Sequence, residues 1–292
     1  MMSTFRVAVA IATKGRPSVV ARCLASLKDQ SYPIEKILIA CHSQDDVPHD
    51  LSADDVHVLY GPAGLTKQRN NALANLPADT DLVIFFDDDF VAHGDYVKAM
   101  VGMFTTDAGV AGATGEVIAD GINGKAIAFD DALRRLRAIS LDTTKPTLVE
   151  NFSPYGCNMA FRQTSLTGLA FDERLVLYGW QEDRDFGAQV ARRGRVVRLN
   201  TACGIHLGFR GGRVPGIRLG YSQVVNPLYL HRKSNMTLTK AVGHIAKNIL
   251  ANAVKTVFLK DGEDRLGRLK GNAIAVFDVL RGRLEPEKVL RL

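Results

Sequence analysis

The sequence predicts an α/β protein with a mostly parallel central sheet flanked by helices and a C-terminal helical extension. Short apolar runs recur along the first two-thirds of the chain, and continuous hydrophobicity is typical of strands buried on both faces of a parallel sheet. Amphipathic segments with helical spacing separate these runs, as in βαβ units. Beyond about residue 235 the periodicity is only helical. We therefore expect an α/β domain over residues 1–235 and a basic amphipathic helical region over residues 236–292.

Local signals place the individual elements. The first apolar strand ends at Lys14, and the helix after it ends before the Tyr32-Pro33 pair. A short helix follows the glycine-rich segment 61–64, and the next strand runs directly into three aspartates. Ligands of such sheets bind at the carboxyl ends of the strands, where Lys14 and the aspartates fall. We predict strands at 7–13, 37–40, 56–60, 82–86, 157–162 and 196–199, and helices around 20–27, 66–76, 132–139, 182–193, 238–257 and 265–281.

The composition is that of an ordinary globular protein, since 46% of the 292 residues are hydrophobic and 23% are charged. The four cysteines are scattered without any ligand-spaced pair, which favours reduced thiols over a zinc site or disulfides. Residues 1–6 show no leader pattern, and charged residues interrupt every apolar stretch that approaches the length of a membrane span. We therefore expect a cytoplasmic protein.

The net charge of +6 conceals an asymmetry along the chain. Residues 1–183 carry 16 Lys and Arg against 24 Asp and Glu, whereas residues 184–292 carry 21 against 7. A basic C-terminal part suits an anionic partner, such as nucleic acid, a phospholipid surface or a pyrophosphate-bearing substrate. Neither a nucleic-acid-binding module nor an interleaving of aromatic and basic residues occurs, so we expect no nucleic-acid partner.

Three aspartates, Asp87, Asp88 and Asp89, follow a five-residue apolar strand. Clustered carboxylates beside a core need water or a cation, because burying unpaired charges is very costly. Mg²⁺ and Mn²⁺ favour carboxylate oxygens together with substrate phosphates. In an extended segment Asp87 and Asp89 point the same way, so they could share a metal–diphosphate complex. A solvated acidic turn is the structural alternative.

A second group of candidate residues lies between positions 178 and 186. Glu182 and Asp183 fall in the first turn of a predicted helix, where the helix dipole favours carboxylates, so capping is the structural interpretation. The functional interpretation is a general base that deprotonates a hydroxyl nucleophile, with aromatic Tyr178 and Trp180 lining the approach.

Two weaker signals complete the set of candidates. His206 follows a predicted strand, and a lone histidine is more often structural than a ligand. Lys67, Arg69 and Asn70 begin a helix after a glycine-rich loop, where basic side chains and backbone N–H groups suit phosphate. The loop lacks the G-x-x-x-x-G-K-[ST] pattern of a P-loop.

Four motifs occur in a fixed order within residues 5–210. They are Ala-Thr-Lys-Gly-Arg-Pro at 12–17, Gly-Leu-Thr-Lys-Gln-Arg-Asn-Asn-Ala at 64–72, Phe-Phe-Asp-Asp-Asp at 85–89 and Trp-Gln-Glu-Asp-Arg-Asp-Phe at 180–186. Together they resemble family 2 glycosyltransferases, which have the GT-A fold; the ordered set is specific, although no single motif is. The segments 220–230 and 282–287 resemble bacterial enzymes that assemble exopolysaccharide or lipopolysaccharide units.

The resemblance implies that Asp87–Asp89 form a DxD motif that binds Mg²⁺ or Mn²⁺. Asp89 would be the direct ligand, with Asp87 and His206 beside the metal and Asp88 near the ribose. Relatives often carry an aspartate after the second strand that contacts the nucleobase. Here that stretch is Ala-Cys-His-Ser at 40–43, so Ser43 or the nearby Asp45 would take this role.

The resemblance also implies an inverting single displacement. Asp183, with Glu182 as its substitute, would take the proton from an acceptor hydroxyl while the metal stabilises the departing diphosphate. The acceptor would be a sugar or a lipid-linked sugar, with Trp180 and Tyr178 on its side of the site. The nucleotide-sugar donor would be bordered by Thr13, Lys14, Arg16, Ser43, Lys67, Arg69 and Asn70.

Two other functions remain open from the sequence. Residues 87–91 fit the loose DxDx[TV] pattern of haloacid-dehalogenase-type phosphatases, although that family places the motif on its first strand. A non-catalytic module that binds nucleotide sugars or polyanions is the second alternative.

The C-terminal region combines an apolar stripe with basic residues. It favours either a peripheral location at the inner face of the cytoplasmic membrane, through anionic lipid, or a helical hairpin packed on the catalytic domain. The predicted stripe is Leu238, Val242, Ile245, Ile249, Ala253 and Val257, with Lys240, Lys247 and Lys255 on the other side.

Overall fold

The computed structural model describes residues 5–51, 54–140, 146–150, 153–209, 215–258 and 263–292. The chain forms two compact units. The predicted division between residues 235 and 236 stays a prediction. The first unit contains Met1–Ala63, Lys67–Ala170 and Gln189–Gly212, and the second contains Gly64–Thr66, Phe171–Ala188 and Arg213–Leu292.

The first unit is built on one sheet, to which the described residues contribute nine strands. The strands are β1 (Val7–Ala12), β2 (Lys36–Cys41), β3 (Val56–Tyr60), β4 (Leu82–Asp87), β5 (Phe90–Ala92), β6 (Val110–Asp120), β7 (Leu148–Glu150), β8 (Asn158–Arg162) and β9 (Arg195–His206). Their order across the sheet is β3-β2-β1-β4-β8-β6-β9-β5, and β7 also pairs with β9.

The α-helices of the described residues are α1 (Pro17–Leu27), α2 (Leu65–Ala74), α3 (Tyr96–Thr106), α4 (Phe129–Arg137), α5 (Glu182–Val190), α6 (Gly216–Arg232), α7 (Leu238–Phe258) and α8 (Arg265–Leu280). Short 3₁₀ segments occur at Gln44–Asp46, Gly121–Asn123, Gln163–Leu166 and Pro286–Arg291. The predicted helix near the N-terminus is confirmed in detail, since the buried side chains of α1 are Val20, Cys23, Leu24 and Leu27.

The sheet has a parallel half and a mixed half. β1, β2, β3 and β4 are parallel to one another, and the interiors of β1, β2 and β4 are buried, as continuous apolar runs predict. β8 enters antiparallel between β4 and β6, whereas β6 and β9 are parallel. The α/β class is thus confirmed with a mixed sheet, because an apolar run reports burial on both faces but not the direction of the strand.

The second unit contains the helices α6, α7 and α8, which pack against one another. Glycines bring α6 and α8 into backbone contact. A Cβ added at Gly220 would lie 2.0 Å from the carbonyl oxygen of Arg268, and one at Gly271 would lie 2.0 Å from that of Ile217. No other residue type allows this close approach.

A buried amide network also joins these three helices. Nδ2 of Asn252 on α7 donates to Oε1 of Gln223 on α6 (2.8 Å) and to Oδ1 of Asn272 on α8 (3.1 Å). Nδ2 of Asn272 donates to the carbonyl oxygen of Gly220 (2.7 Å). Because buried polar groups need partners, the network fixes the rotation of each helix about its axis.

The stripe predicted for the C-terminal region is packed in part and exposed in part. Ile245 and Ile249 pack inward on the apolar cluster around Tyr221, whereas Val242 and Val257 are exposed. The predicted stripe is therefore packed over only part of its length and width, because helical spacing alone does not say which of its residues meet a neighbour. Among the described residues no helix has the length and apolarity that crossing a membrane requires.

Candidate active site

The aspartate triplet lies where β4 turns into β5. Asp87 is the last residue of β4, and Asp88 and Asp89 form the turn. β5 runs antiparallel to β9 and pairs Phe90 with His206, which brings the histidine to the turn. Ligand atoms of Asp87, Asp89 and His206 all lie within 4.8 Å of one another. The structure therefore gathers the three side chains that the sequence predicts as metal ligands.

The chemistry of this Asp-Asp-His group suits a divalent cation. Carboxylate oxygens are the donors that Mg²⁺ and Mn²⁺ prefer, and an imidazole nitrogen is a common further ligand of transition metals. Asp89 and His206 are buried, whereas the side chain of Asp87 is 25% exposed. The group is thus held by the protein on one side and accessible at Asp87.

Asp89 and His206 interact strongly. Nε2 of His206 lies 3.3 Å from Oδ1 of Asp89. Burial raises the pKa of Asp89, but His206, Arg16 and the backbone N–H of Phe209 outweigh it, so this pKa lies below its ordinary value. Burial lowers the pKa of His206, but Asp120 and Asp89 raise it to about 10. A bound cation would take the place of the Nε2 proton, since a metal ligand must be the neutral imidazole.

Asp120 orients the histidine from its other side. Its Oδ1 lies 3.1 Å from Nδ1 of His206 and accepts the backbone N–H of Ile122, and its Oδ2 accepts the hydroxyl of Tyr155 at 2.8 Å. Histidines that bind metals commonly donate their second N–H to a carboxylate, which fixes the orientation of the ring. Sequence reasoning missed Asp120 because only the register of β6 on β9, which pairs it with His206, brings the two together.

Asp88 faces away from this group. β1 and β4 pair in register with Ala12 opposite Asp87, so the residues that follow them meet. Oγ1 of Thr13 donates to Oδ2 of Asp88 (2.7 Å), and Nη1 of Arg16 donates to Oδ1 (2.8 Å). Burial raises the pKa of Asp88 to about 6, against the opposing effects of Arg16 and Thr13. Asp88 thereby holds the loop after β1.

Two side chains of α2 reach the same edge of the sheet. Arg69 is buried, and its Nη2 donates to Oδ1 of Asp87 (3.0 Å) and to the carbonyl oxygen of Gly156 (2.8 Å). Nε2 of Gln68 donates to the carbonyl oxygen of Thr13 at 2.6 Å. Arg69 and Arg16 place positive charge beside the triplet, which suits an anionic ligand.

The loop after β2 is organised by Asp46 rather than by Asp45 or Ser43. Oδ1 of Asp46 accepts the backbone N–H of Gly15 (2.6 Å), and Oδ2 accepts those of His42 and Ser43 (2.8 Å each). These bonds keep the pKa of Asp46 below its ordinary value, although burial raises it. Asp46 thus ties the loop after β2 to the loop after β1, while Asp45 is exposed.

The other predicted donor-binding residues lie at the ends of these elements. Lys14 is exposed in the loop after β1, and Ser43 is half-buried after β2. Lys67 and Asn70 are half-buried on α2. All four belong to the first unit, together with Thr13, Arg16, Arg69, the aspartate triplet and His206.

The predicted base belongs to the second unit. Glu182 and Asp183 form the first turn of α5, where Glu182 is buried and Asp183 is half-buried. Asp185 in the same turn is fully buried, and it accepts hydrogen bonds from Nζ of Lys233 and Nδ2 of Asn235, each at 2.7 Å. These contacts fix the first turn of α5 and leave Asp183 the more accessible of the two candidate bases.

The aromatic residues predicted on the acceptor side lie just before α5. Tyr178 is exposed, and Trp180 is half-buried with its carbonyl oxygen accepting Nδ2 of Asn226 at 2.8 Å. Both line a small depression to which Arg218 and Ser222 of α6 also contribute. Within the second unit, the depression therefore combines aromatic, hydroxyl and basic side chains.

Three solved structures are similar to this chain. A structure titled GalNAc-T7 with UDP, GalNAc and Mn²⁺ matches at 14% identity with a TM-score of 0.53, covering 97% of this chain and 59% of that one. Staphylococcus aureus TarS matches at 16% identity with a TM-score of 0.47, covering 88% of this chain and 44% of that one. TarS 1–349 matches at 12% identity with a TM-score of 0.49, covering 96% and 92%. No curated protein sequence matches significantly.

The chain has a GT-A-like fold. Three observations agree on this: the mixed sheet with flanking helices, the position of the triplet at the end of β4, and the similarity in fold to GalNAc-T7. The family model described as Glycosyl transferase family 2 matches residues 8–168, which is more than half of the chain and includes β1 through β8. The chain therefore belongs to glycosyltransferase family 2.

Proposed function

We propose that the protein is an inverting glycosyltransferase that moves a hexose-like sugar from a nucleotide-diphosphate donor to a hydroxyl acceptor. The observation that supports this most is the Asp87, Asp89 and His206 group at the carboxyl end of β4, the edge of the sheet where ligands of such folds bind. GalNAc-T7, which is similar in fold, is titled with UDP, GalNAc and Mn²⁺, and this supports a nucleotide diphosphate and a divalent cation as ligands here.

In this proposal Asp87, Asp89 and His206 hold Mg²⁺ or Mn²⁺. When bound, the cation stabilises the negative charge that develops on the departing diphosphate. Asp120 keeps the imidazole of His206 in place, and Arg16 adds positive charge on the same side. The donor would be bordered by Thr13, Lys14, Arg16, Ser43, Lys67, Arg69, Asn70 and Asp88.

Asp183 would act as the general base. It accepts the proton of the acceptor hydroxyl while that oxygen attacks the anomeric carbon from the side opposite to the leaving group, which inverts the configuration. The first turn of α5, fixed through Asp185, supports a defined position for this carboxylate. Glu182 is the substitute candidate, and Trp180 with Tyr178 would contact the acceptor sugar.

We propose a role in the assembly of bacterial cell-surface polysaccharide, with a sugar or a lipid-linked sugar as the acceptor. The resemblance of segments 220–230 and 282–287 to enzymes of that process supports this role. The basic C-terminal region supports a cytoplasmic enzyme that binds peripherally to the inner face of the membrane.

A panel of nucleotide sugars tests the proposal. We expect one donor to raise the melting temperature and to be hydrolysed slowly, both with Mg²⁺ or Mn²⁺ and neither with chelator. Asp89→Ala should abolish the metal-dependent shift, and proton NMR of the transfer product should show an inverted anomeric centre.

Three results would contradict it. Metal-dependent stabilisation without any turnover would favour the non-catalytic module. Phosphate release through a trapped aspartyl-phosphate would favour the phosphatase. Retention of the anomeric configuration would exclude Asp183 as the base of a single displacement.

A further inference from the structure

The side of α7 that points away from its helical neighbours is apolar. Ala241 and Asn252 are the buried residues of α7, and Asn252 bonds to both α6 and α8, which defines the inner side of the helix. Successive turns on the opposite side carry small or apolar residues. We call these residues the α7 outward face: Gly243, Ala246, Leu250, Val254, Val257 and Phe258.

This exposure is unusual for a packed helix. Leu250, Val257 and Phe258 are 65%, 76% and 78% exposed. The side of a helix that faces water normally carries polar and charged residues, with the apolar stripe turned to the core. α7 has apolar residues on both sides, since Ile245 and Ile249 already supply its packing inward. The outward face is therefore apolar beyond what packing of the second unit requires.

The charge of α7 has a single sign. Lys240, Lys247 and Lys255 are exposed along the helix, and no acidic residue occurs between positions 238 and 258. An apolar face bordered by lysines is typical of helices that lie in the plane of a membrane interface. The lysines then contact anionic headgroups while the apolar side chains enter the boundary with the acyl chains.

We propose that the α7 outward face is a docking surface for a membrane leaflet that contains anionic lipid. This inference rests on the proposed peripheral membrane association, independently of the transfer chemistry, and assigns that association to one face of one helix. It also differs from the stripe that the sequence predicts, because Ile245 and Ile249 take no part in it.

A second copy of the chain fits this face less well. Two α7 helices packed about a twofold axis would bring their lysines into one interface, and the helix has no carboxylate to neutralise them. A leaflet rich in anionic headgroups supplies the missing negative charge, so charge complementarity favours lipid as the occupant.

α8 carries a similar exposed stripe. Leu266, Phe277 and Leu280 are 62%, 51% and 80% exposed, and Lys270 lies in the same stripe. The guanidinium of Arg281 lies 3.8 Å from the centre of the Phe277 ring. A second helix of the same unit thus repeats the combination of apolar and basic residues.

Co-sedimentation of the full-length protein with vesicles tests the proposal. We expect binding to phosphatidylcholine vesicles that contain phosphatidylglycerol and much weaker binding to phosphatidylcholine alone, with salt reducing the former. Leu250→Gln combined with Val257→Gln should lower the partition coefficient about tenfold or more. Lys240→Gln, Lys247→Gln and Lys255→Gln together should produce a similar loss on anionic vesicles only.

Control variants change exposed residues elsewhere in the chain. Leu148→Gln with Leu290→Gln tests the loss of exposed apolar surface, and Lys28→Gln, Lys98→Gln and Lys125→Gln together test the loss of three exposed charges. We expect both controls to bind anionic vesicles like the unchanged protein. Circular dichroism and the melting temperature check that every variant is folded.

The outcomes separate this inference from the proposal on which it rests. If the unchanged protein binds no vesicle, both the membrane association and the docking surface are wrong. If it binds and the α7 variants bind equally well, the association stands and this surface is wrong. If light scattering shows that the α7 variants lose a dimer while vesicle binding is unchanged, the face is an interface between copies.

Discussion

Adjacent carboxylates at the start of α5 differ in exposure, and this difference decides which one we expect to be the base. Asp183→Asn should lower kcat by about 10²–10⁴-fold, the usual contribution of general-base catalysis, while donor affinity stays nearly unchanged. Initial rates and donor-induced thermal shifts measure the two effects. Glu182→Gln is the matched control, because it removes a neighbouring charge that is 4% exposed. A larger loss in Glu182→Gln than in Asp183→Asn would exchange the two roles.

Asp120 acts on the metal site only through His206. Asp120→Asn keeps a hydrogen-bond acceptor beside Nδ1 but removes the charge, so we expect Mn²⁺ affinity to fall about 10–100-fold. Calorimetric titration of the protein with Mn²⁺ measures this directly. Tyr155→Phe, which removes one hydrogen bond to Asp120, should have a smaller effect. Asp130→Asn changes an exposed carboxylate on α4. If it lowers Mn²⁺ affinity as much as Asp120→Asn does, the cause is the change in net charge and not the contact with His206.

The sequence predicts some metal-site residues better than others. What decides this is how far apart in sequence the residues that meet at the site are. Asp87 and Asp89 are neighbours after one apolar strand, so their proximity follows from local geometry. His206 is reached through the pairing of β5 with β9, and only the resemblance to the family indicated its role. Asp120 has no local signal for its contact with His206, because the two are 86 residues apart and only the folded sheet brings them together. Asp46 accepts backbone N–H groups of His42 and Ser43 within its own loop, and only its bond to Gly15 depends on a partner distant in sequence.

Among elements, the contact between α6 and α8 is the most sensitive to single substitutions. Gly220→Ala would force a methyl group to within 2.0 Å of a backbone carbonyl, so the helices must separate. We expect a loss of about 3 kcal/mol in the free energy of unfolding, at the upper end of the range for overpacking. Urea denaturation measures it.

Gly243→Ala provides the control for this prediction. A Cβ at Gly243 meets no described atom within 4 Å, so the same substitution should stabilise α7 by about 0.5–1 kcal/mol through helix propensity. If both variants shift stability in the same direction, the helix contact is not the cause.

Elements with a clean period were predicted, and elements interrupted by glycine or by irregular polarity were missed. β1, β2, β3 and β4 were found within one or two residues of their bounds. The sequence analysis does not predict β6, because Gly112 and Gly115 interrupt its apolar run. The structure requires glycine at position 115, since a Cβ there would lie 2.3 Å from the carbonyl oxygen of Ala202. α6 was missed because Pro227 and two glycines interrupt its helical pattern.

For the molecule as a whole, we expect the free energy of unfolding to decrease at acidic pH, because several carboxylates have lowered pKa values in the folded state. Lys288 and Tyr221 lower the pKa of Asp278, and Lys233 and Tyr229 lower that of Asp172, in each case against burial, which raises it. Because the folded pKa lies below the ordinary value of 3.8, this stabilisation is complete above that pH and is lost as the pH falls through the folded pKa.

Denaturation in urea at a series of pH values measures the decline. We expect the midpoint to fall steadily below about pH 4, and Asp278→Asn to flatten that fall while lowering stability at neutral pH. A midpoint that rises toward acid would mean that buried carboxyls with raised pKa values, such as Asp88, dominate instead.

The amide network between Gln223, Asn252 and Asn272 has a consequence for evolution and for engineering. Its hydrogen bonds are satisfied at one rotation of α7 about its axis. They therefore oppose a rotation of this helix that would bury Leu250 and Val257. Replacing these three amides with leucines would remove that preference. We would then expect α7 to rotate so that Leu250 and Val257 become buried in an apolar helical core.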